Sequence, residues 1–451
     1  MIDSAIPATS IAFALLLSPP LLAQTVWHVD DDAAAGGNGQ TWATALEDLQ
    51  AALDLVGPGD EIWVAAGRYL PSRRLDPVDR RSATFEIPPD VKIYGGFAGT
   101  EASLAQRAGL FEQTLLSGEL GAAGNHTDNA YHVVYHQQNP GGNIPSRIDG
   151  FTLAHANADG SASQQQRGGG LYVTLTGPGF TAILDVAHCI MRDNRALRGA
   201  GIAVDNFGLV TMSRCDFRGN VAADKGGAVF VMTGTLRAYN CRFRRNSAGK
   251  GGAVYLHSIG LDGGVPRVYF MSSLFHDNAA DRGGVAFIDG NTFTSGRGTW
   301  VNCTLDANHA VTSGGAFFAK TGAAIPAHLT IRNSILWNNV APINPQIFGP
   351  AADVTWSDVN GGWPGLGNFS ADPQFVSPGL RDYRTMPGSP AHDAGDNAAV
   401  LPDLHDLDGD GLLIEPAPFD LDDERRFDDD PAVVDTGSGL TPIVDVGAYE
   451  R

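Results

Sequence analysis

The stretch NCRFRRNSAGKGGAVYLH, residues 240–257, repeats the one upstream of it, RCDFRGNVAADKGGAVFV, residues 214–231. Each carries a cysteine, a phenylalanine, an asparagine, a glycine pair and an apolar run, in that order. Further copies open at Cys189 (CIMRDNRALRGAGIAV), Ser273 (SLFHDNAADRGGVAFI), Cys303 (CTLDANHAVTSGGAFFA) and Ser334 (SILWNN). A degenerate first copy begins FTLAHANADG at Phe151 and reaches GGGLYV at Gly168. The asparagines are read at Asn194, Asn220, Asn246, Asn278, Asn308 and Asn338, with spacings of 26, 26, 32, 30 and 30. A period of this size means stacked units that bury their apolar faces only against one another.

Two architectures share such a period. Leucine-rich repeats need several leucines per unit and often a helical return, and these copies have few leucines and no helical stretch. Each offers two short strands instead, one around CxFxxN and one after the glycine pair, with variable length before the next cysteine. The 56 glycines among 451 residues, well above the usual share, suit a turn-rich β protein. The expected fold is therefore all-β: a right-handed parallel β-helix solenoid with an N-terminal helical cap and an irregular C-terminal acidic region.

In CRFRRN, Cys241 and Phe243 alternate with Arg242 and Arg244, so the first pair faces inward. Coils stack about 4.8 Å apart, which sets like on like. Met191, Phe217, Phe243, Phe275, Leu305 and Leu336 are expected to form one inward stack. The asparagines form another at a bend, each amide bonding its neighbours above and below. The glycines allow φ values that a sharp corner requires. The four cysteines share one rung position; a disulfide or a metal site competes there with a ladder of buried thiols. Ser273 and Ser334 at the same place, and the lack of a CxxC, favour the ladder.

Residues 1–23, with the apolar run SIAFALLLSPPLLAQ at 10–24, read as a signal peptide, although no Lys or Arg stands among the first ten residues. The β-helix is expected over 24–350, its cap over about 24–70 and its repeats over about 151–350. In the cap, Thr44 and Glu47 form a capping box for a helix carrying Leu46, Leu49, Leu53 and Val56. EIWVAAG, VKIYGGFAG and AYHVVYH read as early strands. Near Pro350 the composition shifts. Residues 351–451 hold −16 of the formal charge of −20 and read as an acidic, loop-rich C-terminal cap. A body this negative excludes nucleic acid as a partner. No stretch beyond the signal peptide is long and apolar enough for a transmembrane segment. The mature chain is expected to be exported, extracellular or at the outer cell surface.

The FxxN…GGA units resemble the repeats of polymorphic outer membrane proteins, within the pectin-lyase-like β-helix superfamily. IYGGFAGTE, NSILWNN, SDVNGG, ADPQF, GSPAHDAGDN and VDVGAYE are together similar to exported bacterial β-helix proteins. The resemblance covers nearly the whole mature chain and implies fold and export. Most members of such families carry no assigned reaction.

The superfamily also holds pectate lyases, in which calcium on carboxylates and an Arg or Lys base act on uronate, and galacturonases with paired aspartates. The galacturonase-like tripeptides NTD and GHG are absent here, and no outward face of the repeats stacks several acids. Arg192, Arg218 and Arg244 do stack outward, followed by His276 and Asp306. They form either a basic track for acidic polysaccharide or a solvated face on which Asp216 pairs across rungs. Trp300, Trp337, Trp356 and Trp363 suit sugar stacking or packing equally. DLDGDGLLIE, residues 406–415, places Asp406, Asp408 and Asp410 at alternate positions before Gly411, as an EF-hand loop opens. Position 12 is Ala417, so the loop is incomplete; Asp420 and Asp422 are the acids expected to complete an irregular calcium site, against a plain solvated loop. Two functions remain: a structural, adhesive or polysaccharide-binding surface protein, or a pectate-lyase-like enzyme on acidic polysaccharide.

Overall fold

The computed structural model describes residues 24–138, 145–175, 182–258, 264–290, 295–320, 325–349 and 352–451; the expected signal peptide lies outside the described residues. One turn of the coil runs through strands Leu209–Ser213, Asp216–Arg218, Val221–Lys225 and Val229–Met232. Each strand joins a different sheet. The four sheets hold 11, 10, 6 and 9 strands, and every pairing within them is parallel to the same segment of the next turn. The fold is a parallel β-helix. A rung thus has four strands where the repeat pattern showed two. The strand before the cysteine varies freely (LVTMS, TLRAY, RVYFM) because only its alternation matters, and the one after the asparagine is short.

Three corners shape the rung. The residue before the cysteine or serine is left-handed: Arg214, Asn240, Ser272, Asn302 and Asn333 have φ between 47° and 53°. So is the residue before the ladder asparagine, as at Asp193 and Arg245, φ 55° in both. The third corner is the glycine pair, and its two members act differently. Gly251 has φ 64°, which suits glycine. Gly252 is a matter of room, since a Cβ there would run into the carbonyl oxygen of Gly284 one rung on.

The asparagine ladder closes in full. The Asn246 amide donates to the carbonyl of Phe217 at 2.9 Å and to Asn278 Oδ1 at 3.0 Å. Its own Oδ1 accepts from the Asn220 backbone at 3.1 Å and side chain at 3.0 Å. The pattern runs from Asn194 to Asn339, where the last amide donates to Gln346. The sixth member is Asn339, not Asn338 as the spacing suggested. In the tandem WNN, Asn338 takes the left-handed corner place, φ 47°. Inside, Met191, Phe217, Phe243, Phe275, Leu305 and Leu336 pair in register and are fully buried. Phe243 and Phe275 stack at 4.6 Å. The four cysteines are free and buried, and burial pushes the Cys189 and Cys303 thiols up to about 12. Cys241 and Cys303 receive no sulfur partner from the serine rungs; their backbone amides donate to Ser273 and Ser334 Oγ.

The N-terminal helix is shorter than expected, Leu49–Leu53, and its cap is Asp48, whose carboxylate accepts from the Gln50 amide at 2.9 Å. Thr44 ends a 3-10 turn instead of opening a capping box. Leu49, Ala52 and Leu53 still join the main core. At the other end, coil strands Ala352–Thr355 and Asp358–Val359 continue past the composition shift near Pro350. The acidic segment then lies along the flank, bonded to the left-handed corners. Asn302 donates to the Asp445 carbonyl at 2.9 Å, Asn333 exchanges two bonds with Asp396, and Asn240 donates to the Asp420 carbonyl. Among the described residues no helix is long and apolar enough to cross a membrane.

Replacing Asn246 with Ala would orphan the Asn220 amide and the Phe217 carbonyl in a dry interior, at roughly 1–3 kcal/mol each. Urea denaturation should show a loss of about 2–5 kcal/mol; an unchanged midpoint would remove the ladder from the account of stability.

Candidate functional site

The glycine corner places two outward rows side by side. In RGGGLY, KGGAVF, KGGAVY and RGGVAF, a cation stands five residues before an aromatic. The cations end strands of the six-stranded sheet, where Arg198, Lys225, Lys250 and Arg282 are in register. The aromatics lie on the outer face of the nine-stranded sheet. Phe230, Tyr255, Phe287, Phe318 and Phe348 pair in sequence, with centroids 6.0, 5.1, 4.7 and 4.6 Å apart. Three of these cations lean across the corner onto the ring of the next rung: Lys225 on Tyr255 at 5.1 Å, Lys250 on Phe287 at 6.0 Å, Arg282 on Phe318 at 5.6 Å.

These rows line a groove of about 620 Å³, with Asp289, Thr312, Ser313, Lys320 and Ile343 on its walls. Two acids set its charge. Asp224 lies 3.5 Å from Arg198 and 3.7 Å from Lys225. Asp289 accepts from Tyr255 OH at 3.1 Å and Lys320 Nζ at 2.7 Å. Burial acts against its charge, yet His257 at 3.7 Å and the Lys320 bond hold its carboxyl down to about 2. Burial lowers the Lys225 amine, with Asp224 opposing and the charges of Arg198 and Lys250 adding to the effect. Lys250 and Arg282 have no ion pair among the described residues, so the groove keeps net positive charge on a chain of −20. Tyr255, Phe287 and Phe318 are buried beneath the cations and only Phe348 is half-exposed, so the groove presents a row of cationic donors backed by an apolar stack.

The groove has a sequence signal, a cation five residues before an aromatic across each glycine pair. The row singled out from the sequence, as a basic track or a solvated face with acids paired across rungs, is instead Arg192, Arg218 and Arg244. They do stand in register on the ten-stranded sheet, followed by His276, Asp306 and Trp337. Each, however, is held by an acid. Arg192 pairs with Asp193 at 2.9 Å, Arg218 with Glu112 at 2.9 Å, and Arg244 with Asp216 at 2.7 Å across one rung. Farther along, the tail hairpin Phe375–Ser377 and Asp382–Thr385 covers the track, with Tyr383 against the buried His276. Trp300 is a core residue stacked on Phe270.

The five acids predicted for calcium separate. Asp406, Asp408 and Asp410 converge, with one oxygen each within 4.8 Å of the others. Gly411 N donates to Asp406 and the Asp410 amide to Asp408, which winds the turn. The acids that join Asp408 are Asp403 and Glu415. Asp420 and Asp422 lie elsewhere. Asp420 accepts the amides of Asp422, Glu424 and Glu450, and Asp422 pairs with Arg242 at 3.0 Å. Glu415 has both carboxylate oxygens enclosed without a hydrogen-bond partner, and burial and then the Asp410 and Asp408 charges raise its pKa. Such a donor set fits a hard cation.

No protein-family model and no curated protein matches the sequence, so the likeness to polymorphic outer membrane repeats rests on its motifs. Among solved structures, pectate lyase Pel9A matches at 14% identity over 95% of this chain and 96% of its own, with a TM-score of 0.51. A rhamnogalacturonan lyase matches at 12% identity over 78% and 91%, with a TM-score of 0.33. The chain has the pectate lyase-like parallel β-helix fold.

Two buried acids outside the groove predict an unusual pH profile. Burial, aided by the Asp277 charge, pushes Asp306 up to about 6, and burial with Asp372 pushes Asp358 up to about 7. Each keeps its proton in the folded chain where the unfolded chain, near its ordinary value of about 4, has lost it. Stability from these groups is full below about pH 4 and is lost as pH rises through about 6 to 7. Thermal scans without divalent cations should place Asp358→Asn above wild type in Tm at pH 8, with the gap narrowing toward pH 5. A gap that does not narrow would contradict this.

Proposed function

We propose that this chain is an exported β-helix protein, extracellular or at the outer cell surface, that binds acidic polysaccharide along the cation–aromatic groove. The observation that carries the reading is the register: one cation and one ring per rung, repeated at strand spacing along a line. A uronate chain likewise repeats carboxylate and sugar face along a line. Lys250 and Arg282 are the unpaired donors for carboxylate, and the half-exposed Phe348 at the end of the row supplies apolar surface.

The lowered Lys225 amine favours a second reading, a polysaccharide lyase. A neutral Lys225 would take the proton α to the uronate carboxylate while Lys250 and Arg282 neutralise the charge that develops. The β C–O bond then breaks, its electron pair leaves with the released sugar oxygen, water protonates that oxygen, and a C=C double bond remains. Binding of polygalacturonate or alginate, measured by calorimetry, should weaken at least tenfold in Lys250→Ala with Arg282→Ala and fall steeply with salt. Arg192→Ala should bind as wild type. Equal affinity in all three would overturn the groove reading. Growth of ultraviolet absorbance from an unsaturated product, lost in Lys225→Ala, separates lyase from binder.

Calcium is the cofactor we assign to Asp403, Asp406, Asp408, Asp410 and Glu415, because a cation would relieve the mutual repulsion of these acids and partner the enclosed Glu415 oxygens. Millimolar calcium should raise Tm, and Asp408→Asn with Asp410→Asn should reduce that rise. Full retention of the rise in the double variant would remove the loop as a calcium site.

A further inference from the structure

A different acidic centre lies in the tail, away from both the groove and the 403–415 loop. Asp393 is fully buried, and neither of its carboxylate oxygens has a hydrogen-bond partner. Its backbone, by contrast, is completely tied. Its amide donates to Asp445 Oδ1 at 2.8 Å, and its carbonyl accepts from the Thr436 and Gly437 amides at 2.9 Å. The carboxylate therefore points where it does because the chain is held on both sides, and it meets no donor there.

What it meets is more acid. Asp429 and Asp435, both exposed, each bring one oxygen to within 4.8 Å of Asp393 and of one another. Asp435 also accepts from the Thr441 hydroxyl at 2.5 Å. Burial, and then Asp435, Asp429 and Asp430, push Asp393 up to about 6. Four arginines on or facing the tail, Arg242, Arg214, Arg384 and Arg426, are engaged elsewhere, with Asp422, Asp423, Asp382 and Glu450. A buried carboxylate without donors is costly unless it is protonated or coordinates a cation. Two oxygens on one calcium ion, at about 2.3–2.6 Å each, sit at most about 5 Å apart, which matches this cluster. The donors are all carboxylate, from two chain segments, with the exposed pair on a loop able to adjust; that favours calcium over the stricter magnesium.

We infer that Asp393, Asp429 and Asp435 form a second divalent-cation site, of the oxygen-only kind that takes calcium. Its position gives it a task. Asp396, three residues from Asp393, exchanges two hydrogen bonds with Asn333 at a β-helix corner. A cation on Asp393 would fasten the 428–435 loop to the segment already docked on the solenoid.

The test is calorimetric titration of calcium into the full-length, cation-stripped protein. The variants are Asp429→Asn, Asp435→Asn, Asp393→Asn, and Asp408→Asn with Asp410→Asn. Asp429 and Asp435 are exposed, so their variants keep the fold, and circular dichroism verifies it. Wild type should bind two calcium ions, Asp429→Asn or Asp435→Asn one, and the Asp408/Asp410 double variant the other one. Trypsin cleavage after the exposed Arg425 should slow with calcium in wild type and not in Asp429→Asn. A single site lost in Asp429→Asn but kept in the double variant supports this inference and rejects the loop. A single site kept in Asp429→Asn and lost in the double variant overturns this inference alone, and no binding overturns both.

Discussion

The amide ladder along one corner sets the terms for everything else. Each asparagine offers two donors and two acceptor sites, and each is used within the stack: one donor to a carbonyl behind, one to the amide ahead, and both acceptor sites to the rung before. A side chain so saturated fixes the register of successive rungs, because a slip by one residue would leave buried amides unpaired. It also offsets the left-handed residue that precedes it on every rung, a conformation that costs about 1–2 kcal/mol for a residue with a Cβ. Variable loops are tolerated since they enter at another corner.

Register has a functional consequence. When rungs repeat at strand spacing, any outward residue becomes a row. Rows of one charge repel, and the chain answers in two ways. On the ten-stranded sheet the arginines are paired with acids one by one. On the six-stranded sheet Asp224 pairs with Arg198 and Lys225 of a longer row, and Lys225, Lys250 and Arg282 lie on aromatic faces that favour them without cancelling their charge. The first arrangement consumes charge for cohesion, and the second leaves it unpaired.

The acidic tail follows the same geometry from outside. Left-handed corners turn polar side chains such as Asn240, Asn302 and Asn333 outward, and the tail's backbone hydrogen-bonds to them in succession. Apolar residues including Tyr383, Ala391, Leu421 and Val446 cover Leu274 and Ile335 between those bonds. Carboxylates of the tail that are not needed for docking collect in two places, around Asp408 and around Asp393.

The sequence by itself determined the rung. The phenylalanine stack, the cysteine position, the asparagine and the glycine pair were all legible, because each residue does its work at a place defined by its own local period. Only the tandem asparagines at 338 and 339, where two residues fit one description, misled the count. The capping residue was mistaken because Thr44–Glu47 and Asp48 are both acceptable openings, and the fold chose the one that lays Leu49 and Leu53 on the core. What only the tertiary structure decided is which outward row stays free. Arg218 and Lys250 look alike in sequence. Glu112, 106 residues away, reaches Arg218, whereas Lys250 finds a ring of the next rung. The same holds for the acids: Asp420 and Asp422 are near Asp410 in sequence, yet Arg242 and the chain's own amides claim them. Partners that distant in the chain are set by packing, and a periodic pattern carries no record of them.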